Sequence, residues 1–323
     1  MARCLLRNLL VVFTFIVDVP ARADERAQVD FLTEAGRIIV RIDRRPVAEY
    51  VLGDMATSRP YFAHLRTASG LQITRNHPPQ PGDLQDHDAF HPGLWLAFGD
   101  LNGSDNWRCK AKVTHERFLE APQGGAGHGG FTSENAYLDE SDHVKLCRET
   151  RRIDVHVVPA GWLLTWDSTF SSDRGEFAFG DQEEMGLGLR MATPLAVVSN
   201  QGGQIRDSEG RQNERQIWGT AAAWCDYSGP CQDRWVGVTL FSHPQNFRRS
   251  WHHVRDYGLL VANPFGRKAL TGGSMSRLVI KPGESLRIRF GVLVHESETS
   301  KRFSLADAMQ CYERLCGSRE APR

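Results

Sequence analysis

Residues 153–166 read Ile-Asp-Val-His-Val-Val-Pro-Ala-Gly-Trp-Leu-Leu-Thr-Trp. Ile153, Val155 and Val157 recur at every second position. Pro159-Ala160-Gly161 turns the chain, and Trp162, Leu164 and Trp166 resume the alternation. A period of two puts one set of side chains on one face of a strand. Ile38, Val40 and Ile42 repeat the pattern near the start. Near the end, Leu278-Val279-Ile280, then Pro282-Gly283-Glu284, then residues 286–294 read as a hairpin. Clusters of Gly, Pro, Asn and Asp separate these runs. The expected fold is therefore all-β, a large antiparallel β-sandwich.

A single helix is expected, at the C-terminal end. Ser304 can cap it, Asp307 stands at the capping-box position, and Leu305, Met309, Tyr312 and Leu315 form a stripe before Gly317. Residues 124–130 (Gly-Gly-Ala-Gly-His-Gly-Gly) read as a flexible loop. They lack the strand-then-helix context that a phosphate-binding loop needs. No internal repeat or composition break divides residues 24–323, which read as one domain.

Of 323 residues, 41% are hydrophobic and 24% charged, as in an ordinary globular chain. Thirty-nine basic residues balance thirty-nine acidic ones, so the basic footprint of a nucleic-acid binder is missing. Residues 1–23 read as a cleavable secretory leader. Arg3 and Arg7 precede a short apolar run, and Ala21-Arg22-Ala23 supplies a small-x-small cleavage pattern. The run is too short to span a bilayer, and no later stretch approaches spanning length. The expected location is the periplasm or outside the cell. Six of the seven cysteines lie beyond the leader, an even number that favours disulfides in an exported protein. Cys225 with Cys231, Cys311 with Cys316, and Cys109 with Cys147 are the pairs considered, among 15 pairings that six cysteines allow. No CxxC spacing suggests zinc, and no cofactor is expected.

Three stretches carry chemistry. The first runs from Arg59 to Trp107 and holds His64, Arg66, His87, His91, Trp95 and Asn102. Imidazole exchanges protons near neutral pH, so histidines grouped at loop edges mark a site. His87 and His91 have the i,i+4 spacing of a helix, but Pro92-Gly93 argues against one. The second stretch holds His243, Asn246, Trp251, His252, His253, Arg255 and Asp256. Neighbours in an extended segment diverge, so Arg255 and Asp256 need not pair, and at most one of His252 and His253 faces a site. The third, residues 181–190, puts Glu184 just before a Gly-rich strand that ends in Arg190. Its carboxylate can act as a base or form a fork with that arginine.

Together these stretches resemble the bacterial family labelled PmoA-like, or "methane oxygenase PmoA". The resemblance spans roughly residues 50–290. It rests on Arg59-Pro60-Tyr61 with His64-Leu65-Arg66-Thr67, on Asp86-His87 with His91-Pro92-Gly93-Leu94-Trp95, and on Gly99-Asp100-Leu101-Asn102-Gly103. Gly186-Leu187-Gly188-Leu189-Arg190, His243-Pro244-Gln245-Asn246 and Trp251 with Arg255-Asp256-Tyr257-Gly258 add to it. Family members commonly carry His-His-Arg-Gly-Leu where this chain has Phe90-His91-Pro92-Gly93-Leu94. The label is not taken as the activity, because a membrane monooxygenase subunit needs spanning segments. The resemblance implies a large antiparallel sandwich similar to the supersandwich of sugar mutarotases, and an association with bacterial carbohydrate utilisation.

The favoured reading is an exported carbohydrate-active enzyme of epimerase, lyase or hydrolase type, taking a small-molecule or oligosaccharide substrate. Sugar rings stack on Trp faces and their hydroxyls need fixed polar partners. His64, His91 and His243 are the acid/base candidates, with Glu184 as carboxylate partner. Arg66, Arg190 and Arg255 would bind substrate oxygens, and His87, Trp95, Asn102, Asn246, Trp251 and Asp256 would complete the binding set. One alternative is a non-catalytic glycan-binding envelope protein. Another is a metal-dependent enzyme using His64, His87 and His91, or His243, with Asp86 or Asp88. The favoured reading requires residues from distant loops to meet at one concavity.

Overall fold

Period-two runs become strands throughout this computed structural model, which describes residues 27–298 and 304–317; the expected leader lies outside them. The described residues open with β1 (Gln28–Glu34), β2 (Arg37–Ile42) and β3 (Arg45–Val51), then β4 (Tyr61–Ala63) and β5 (Leu94–Phe98). Next come β6 (Val113–Gln123), β7 (Gly125–Ala126), β8 (His128–Leu138), β9 (Lys145–Val158) and β10 (Gly161–Ser171). Further along lie β11 (Phe177–Phe179), β12 (Met185–Arg190), β13 (Gln204–Asp207), helix α1 (Asn213–Ile217), β14 (Trp224–Cys231) and β15 (Arg234–Ser242). The last elements are β16 (Trp251–Arg255), β17 (Leu259–Asn263), α2 (Arg267–Thr271), β18 (Leu278–Ile280), β19 (Ser285–Glu298) and α3 (Leu305–Gly317).

Two large antiparallel sheets result. One has nine strands in the order β16-β17-β12-β5-β4-β3-β2-β1-β7, and the other eight in the order β13-β14-β15-β19-β10-β9-β8-β6. The expected β-sandwich is thus present. Val40, Phe62, Leu96 and Leu187 from the first sheet meet Ile153, Trp166, Val238 and Val292 from the second in one buried cluster. Ile153, Val155, Trp162, Leu164 and Trp166 are all within it, as their alternation required.

A charge pair sits inside this apolar layer. Arg151 donates to Glu149 at 3.0 and 2.8 Å, and both side chains are fully buried. Asn135 and Ser168 donate to the same carboxylate, Arg151 donates to Tyr50 Oη, and its guanidinium lies 4.6 Å from the Trp166 ring centre. Buried charges persist when paired and hydrogen-bonded in this way.

α3 forms where the capping signal placed it, with the Asp307 N–H donating to Ser304 Oγ at 3.2 Å and Tyr312 buried against Phe241. Three other expectations are corrected. β18 does not form a hairpin with β19: it pairs with β11, Phe177 opposite Ile280, while both edges of β19 are taken by β10 and β15. Residues 124–130 are not a free loop, since β7 pairs with β1 and β8 begins at His128. Their glycines permit close strand approach: a Cβ on Gly124 would lie 2.1 Å from Val29 O, and one on Gly130 2.5 Å from Ile153 O.

The expected disulfides are absent among the described residues. Cys109, Cys147, Cys225, Cys231 and Cys311 are free thiols. Cys225 and Cys231 lie at opposite ends of β14, where six residues of extended chain span about 20 Å, well beyond disulfide reach. Cys311 and Cys316 are five apart on α3, which turns their side chains well away from each other. Cys109 Sγ instead accepts a hydrogen bond from Arg59 at 3.0 Å.

Candidate functional site

The polar constellation lies on the outer face of the nine-stranded sheet. Along β5, Leu94, Leu96 and Phe98 enter the core, so Trp95 and Ala97 point the other way. The same parity turns Gly188 and Arg190 outward on β12, His253 and Arg255 on β16, and Leu259 and Val261 on β17. Gly188 leaves space for the two tryptophans beside it. A Cβ there would stand 2.7 Å from the Trp95 ring and 2.9 Å from that of Trp107.

Residues 86–92 fold over this face. The His91 N–H donates to His87 O at 3.0 Å, a single helical turn that Pro92-Gly93 then ends. The i,i+4 spacing therefore stacks the rings, His87 on His91 at 4.6 Å and His91 on Trp95 at 5.0 Å. Tyr257 lies parallel to His87 at 5.9 Å. Arg75 secures the segment by donating to the carbonyls of Leu84, Asp86, His87 and His91, and Arg59 donates to Phe90 O at 2.6 Å.

Arg190 is fully buried and sets the electrostatics. It donates to Asp86 Oδ1 at 2.5 Å and to His91 Nδ1 at 3.3 Å, and its guanidinium lies 4.6 Å from the Tyr257 ring centre. Burial by itself would raise the Asp86 carboxyl, but hydrogen bonds from Arg190 and His87 outweigh it and hold it at about 2. Burial, then the Arg190 charge, presses His91 well below the ordinary histidine range. Guanidinium only donates, so Nδ1 of His91 accepts and its ring proton sits on Nε2. His91 is thus a neutral imidazole that can donate a hydrogen bond.

A second charged group stands opposite. Arg108 donates to Glu184 at 2.9 Å and to Asp105 at 3.0 Å. Arg255 pairs with Glu183 at 3.3 Å and Glu214 at 3.0 Å. Burial, then the adjacent Glu184 charge, raises the Glu183 carboxyl, with Arg255 opposing. His253 Nδ1 lies 3.6 Å from Glu183, and burial and then Arg255 bring that histidine down to about 3. Between these groups opens a cavity of about 90 Å³, walled by His87, His91, Trp107, Arg108, Glu184 and His253. Phe90, Tyr257 and Leu259 complete its lining. A larger cavity of about 560 Å³ lies between α3, β10 and β19, but Val158, Ala160, Leu163 and Leu293 make much of its wall apolar and no histidine lines it.

The structure therefore brings together His87, His91, Glu184 and, around them, Trp95, Arg190 and Arg255. Other sequence candidates stand elsewhere. His64 pairs with Glu49 at 3.0 Å, and Arg66 reaches only to Gly70 O. His243 follows β15 of the opposite sheet and stands edge-on to Tyr312, 5.8 Å away. Asn246 exchanges hydrogen bonds with the Arg289 backbone, and Asn102 sits in an exposed turn. Trp251 shares the outer face of β16 but packs 5.3 Å from Arg248 and does not line the cavity. Asp256 accepts the Glu214 N–H at the start of α1 while Arg255 pairs with the Glu214 carboxylate, so the two neighbours meet the same residue without pairing with each other. Arg108, Glu183 and His253 belong to the site without having been chosen from sequence. The alternation around His252-His253 was the one signal pointing to any of them.

Among the described residues, no group of three or more His, Cys, Asp and Glu side chains is arranged to hold a metal ion. The parallel stack of His87 and His91 explains why this pair does not converge: their ring-plane lone pairs run side by side. Nδ1 of His87 is held by Asp86 and that of His91 by Arg190. Nor is any helix among the described residues long and apolar enough to cross a membrane.

The model of a family of unknown function (DUF6807) matches residues 37–309, and the chain belongs to that family. No curated protein matches it. Among solved structures, a galactose mutarotase-like protein from Clostridium acetobutylicum shares 9% identity at a TM-score of 0.44, with 85% of this chain and 100% of that one covered. A galactose mutarotase-like protein from Lactobacillus casei also shares 9%, at a TM-score of 0.38, covering 83% and 100%. A galactose mutarotase related enzyme from Lactobacillus acidophilus shares 11%, at a TM-score of 0.39, covering 85% and 100%.

Proposed function

We propose that this member of the DUF6807 family is an exported enzyme that moves a proton on a sugar bound at the outer face of the nine-stranded sheet. The observation that carries the reading is His91. It is buried, neutral, fixed in its Nε2–H tautomer by Arg190, and placed on the wall of a cavity that also presents Glu184. A neutral imidazole whose Nδ1 is engaged can polarise a sugar oxygen by hydrogen bonding without giving up its proton, and a carboxylate on the same cavity wall supplies the base. In this reading His91 donates a hydrogen bond to a ring or anomeric oxygen and keeps its proton, while Glu184 takes a proton from the sugar and returns it later in the same turnover. Arg108 holds Glu184 in place, and Trp107 and Tyr257 offer apolar ring surface to the sugar.

The test is turnover of a panel of aldoses and methyl glycosides by the wild type, His91→Ala and Glu184→Gln, each checked for folding by circular dichroism. Loss of the His91 donor or of the Glu184 base is expected to lower kcat by about 10²–10⁴-fold. Undiminished turnover in both folded variants would remove the reading. Binding without turnover in the wild type would favour the glycan-binding alternative.

A further inference from the structure

A second cavity adjoins the first on the same sheet face, and the segment that walls one also walls the other. Residues 86–92 present His87, Phe90 and His91 to the first cavity and Asp88 and Ala89 to the second. Beneath them Tyr61 on β4 is the register partner of Trp95 on β5, and both belong to the apolar cluster on this face. Tyr61 lines the second cavity, and Trp95 underlies His91 of the first. The partition is fixed from below by Arg75 and Arg59, and Thr57 donates to Ala89 O.

The two spaces differ in kind. The first is small, about 90 Å³, and ringed by charge. The second is about 480 Å³ and walled largely by Met55, Ala56, Tyr61, Pro78 and Ala89. Its polar groups stand at fixed points. Tyr61 donates to Asp54 at 2.6 Å, His77 stands edge-on to Tyr61 at 5.1 Å, and His77 Nδ1 is buried without a partner. The Met55 side chain is fully exposed at the rim, a surface that water solvates poorly and a flat apolar group would cover.

We propose that the substrate is a glycoside with a flat, largely apolar second unit, the sugar presenting its reacting edge to the histidine cavity and the second unit crossing the partition to lie on Tyr61, Met55 and Pro78. This rests on the sugar reading given above. The first cavity, about 90 Å³, is smaller than a sugar ring, so it takes the reacting edge of one ring and leaves the rest of the substrate to the surface beside it. A flat ring face laid on Met55, Pro78 and Tyr61 gains apolar burial that a methyl group at the same position does not.

Paired methyl and p-nitrophenyl glycosides of glucose, galactose and xylose provide the probe, with affinity measured by calorimetry on the wild type, Met55→Asp and Met55→Leu. Met55 is fully exposed, so neither change disturbs the fold. The p-nitrophenyl form of the sugar that binds is expected to bind about tenfold tighter than its methyl form. Met55→Asp should remove most of that preference without changing methyl glycoside affinity, and Met55→Leu should keep it. Equal affinity for the two forms, or a preference that Met55→Asp leaves intact, overturns the second subsite while the sugar reading stands. If none of the six glycosides binds, both fall.

Discussion

At the level of single residues, the site works by separating the states of like groups. Asp86 stays ionised to about pH 2, His253 stays neutral to about pH 3, and His91 stays neutral because burial and Arg190 oppose its charge. Glu183 moves the opposite way, upward, because it is partly buried and next to Glu184. The acid limb of kcat/KM is therefore expected to follow the Glu183 carboxylate, which pairs with Arg255 beside the cavity, and to lie above the ordinary carboxylate range. Activity rises with pH as the raised group ionises. Glu183→Gln removes it and should move the limb to lower pH; a limb that stays in place in this variant contradicts the assignment. Sequence alone distinguished some of these residues and not others. His91, Glu184 and Arg190 stood out because polar side chains beside loop punctuation rarely serve packing. His64 and His243 stood out for the same reason, yet Glu49 engages one and Tyr312 packs against the other. Residue type cannot show on which sheet a side chain stands.

Among elements, β12 positions the most. Its inward leucines fill the core while its outward Gly188 lets Trp95 and Trp107 close over the sheet, and Arg190 ends the strand beneath the histidine turn. Gly188→Ala would drive a methyl group into both indole rings. The expected cost is about 1–3 kcal/mol in chemical denaturation, accompanied by a drop in sugar affinity as the wall at Trp107 shifts. Unchanged stability would show that the rings can yield, and that the glycine is not what shapes the cavity. Strand alternation was readable at the level of elements, and it correctly assigned the faces of β2, β9 and β10. Pairing was not readable. A tight turn at Pro282-Gly283 implied that β18 pairs with β19, but β19 already has both neighbours, and β18 joins β11 instead. Glycine density at 124–130 looked like looseness and is instead close strand contact, a distinction that needs the partner strand to be seen.

For the whole molecule, the two sheets divide the labour. Their facing sides share one apolar core with the Arg151–Glu149 pair inside it, and the outer side of the nine-stranded sheet is left to carry chemistry. Edge strand β16, inner strands β5, β12 and β17, and the 86–92 segment each deliver side chains to that side from widely separated positions. The convergence expected from sequence thus holds for His91 and Glu184, leaves Arg255 beside the cavity without lining it, and fails for His64 and His243. The central claim is where the sugar binds, and a crystal structure of the protein soaked with the tightest-binding glycoside of the panel tests it most directly. The account predicts a sugar ring within hydrogen-bond distance of His91 Nε2 and the Glu184 carboxylate. A ring seated instead in the cavity beneath α3, with the histidine cavity empty, would contradict it.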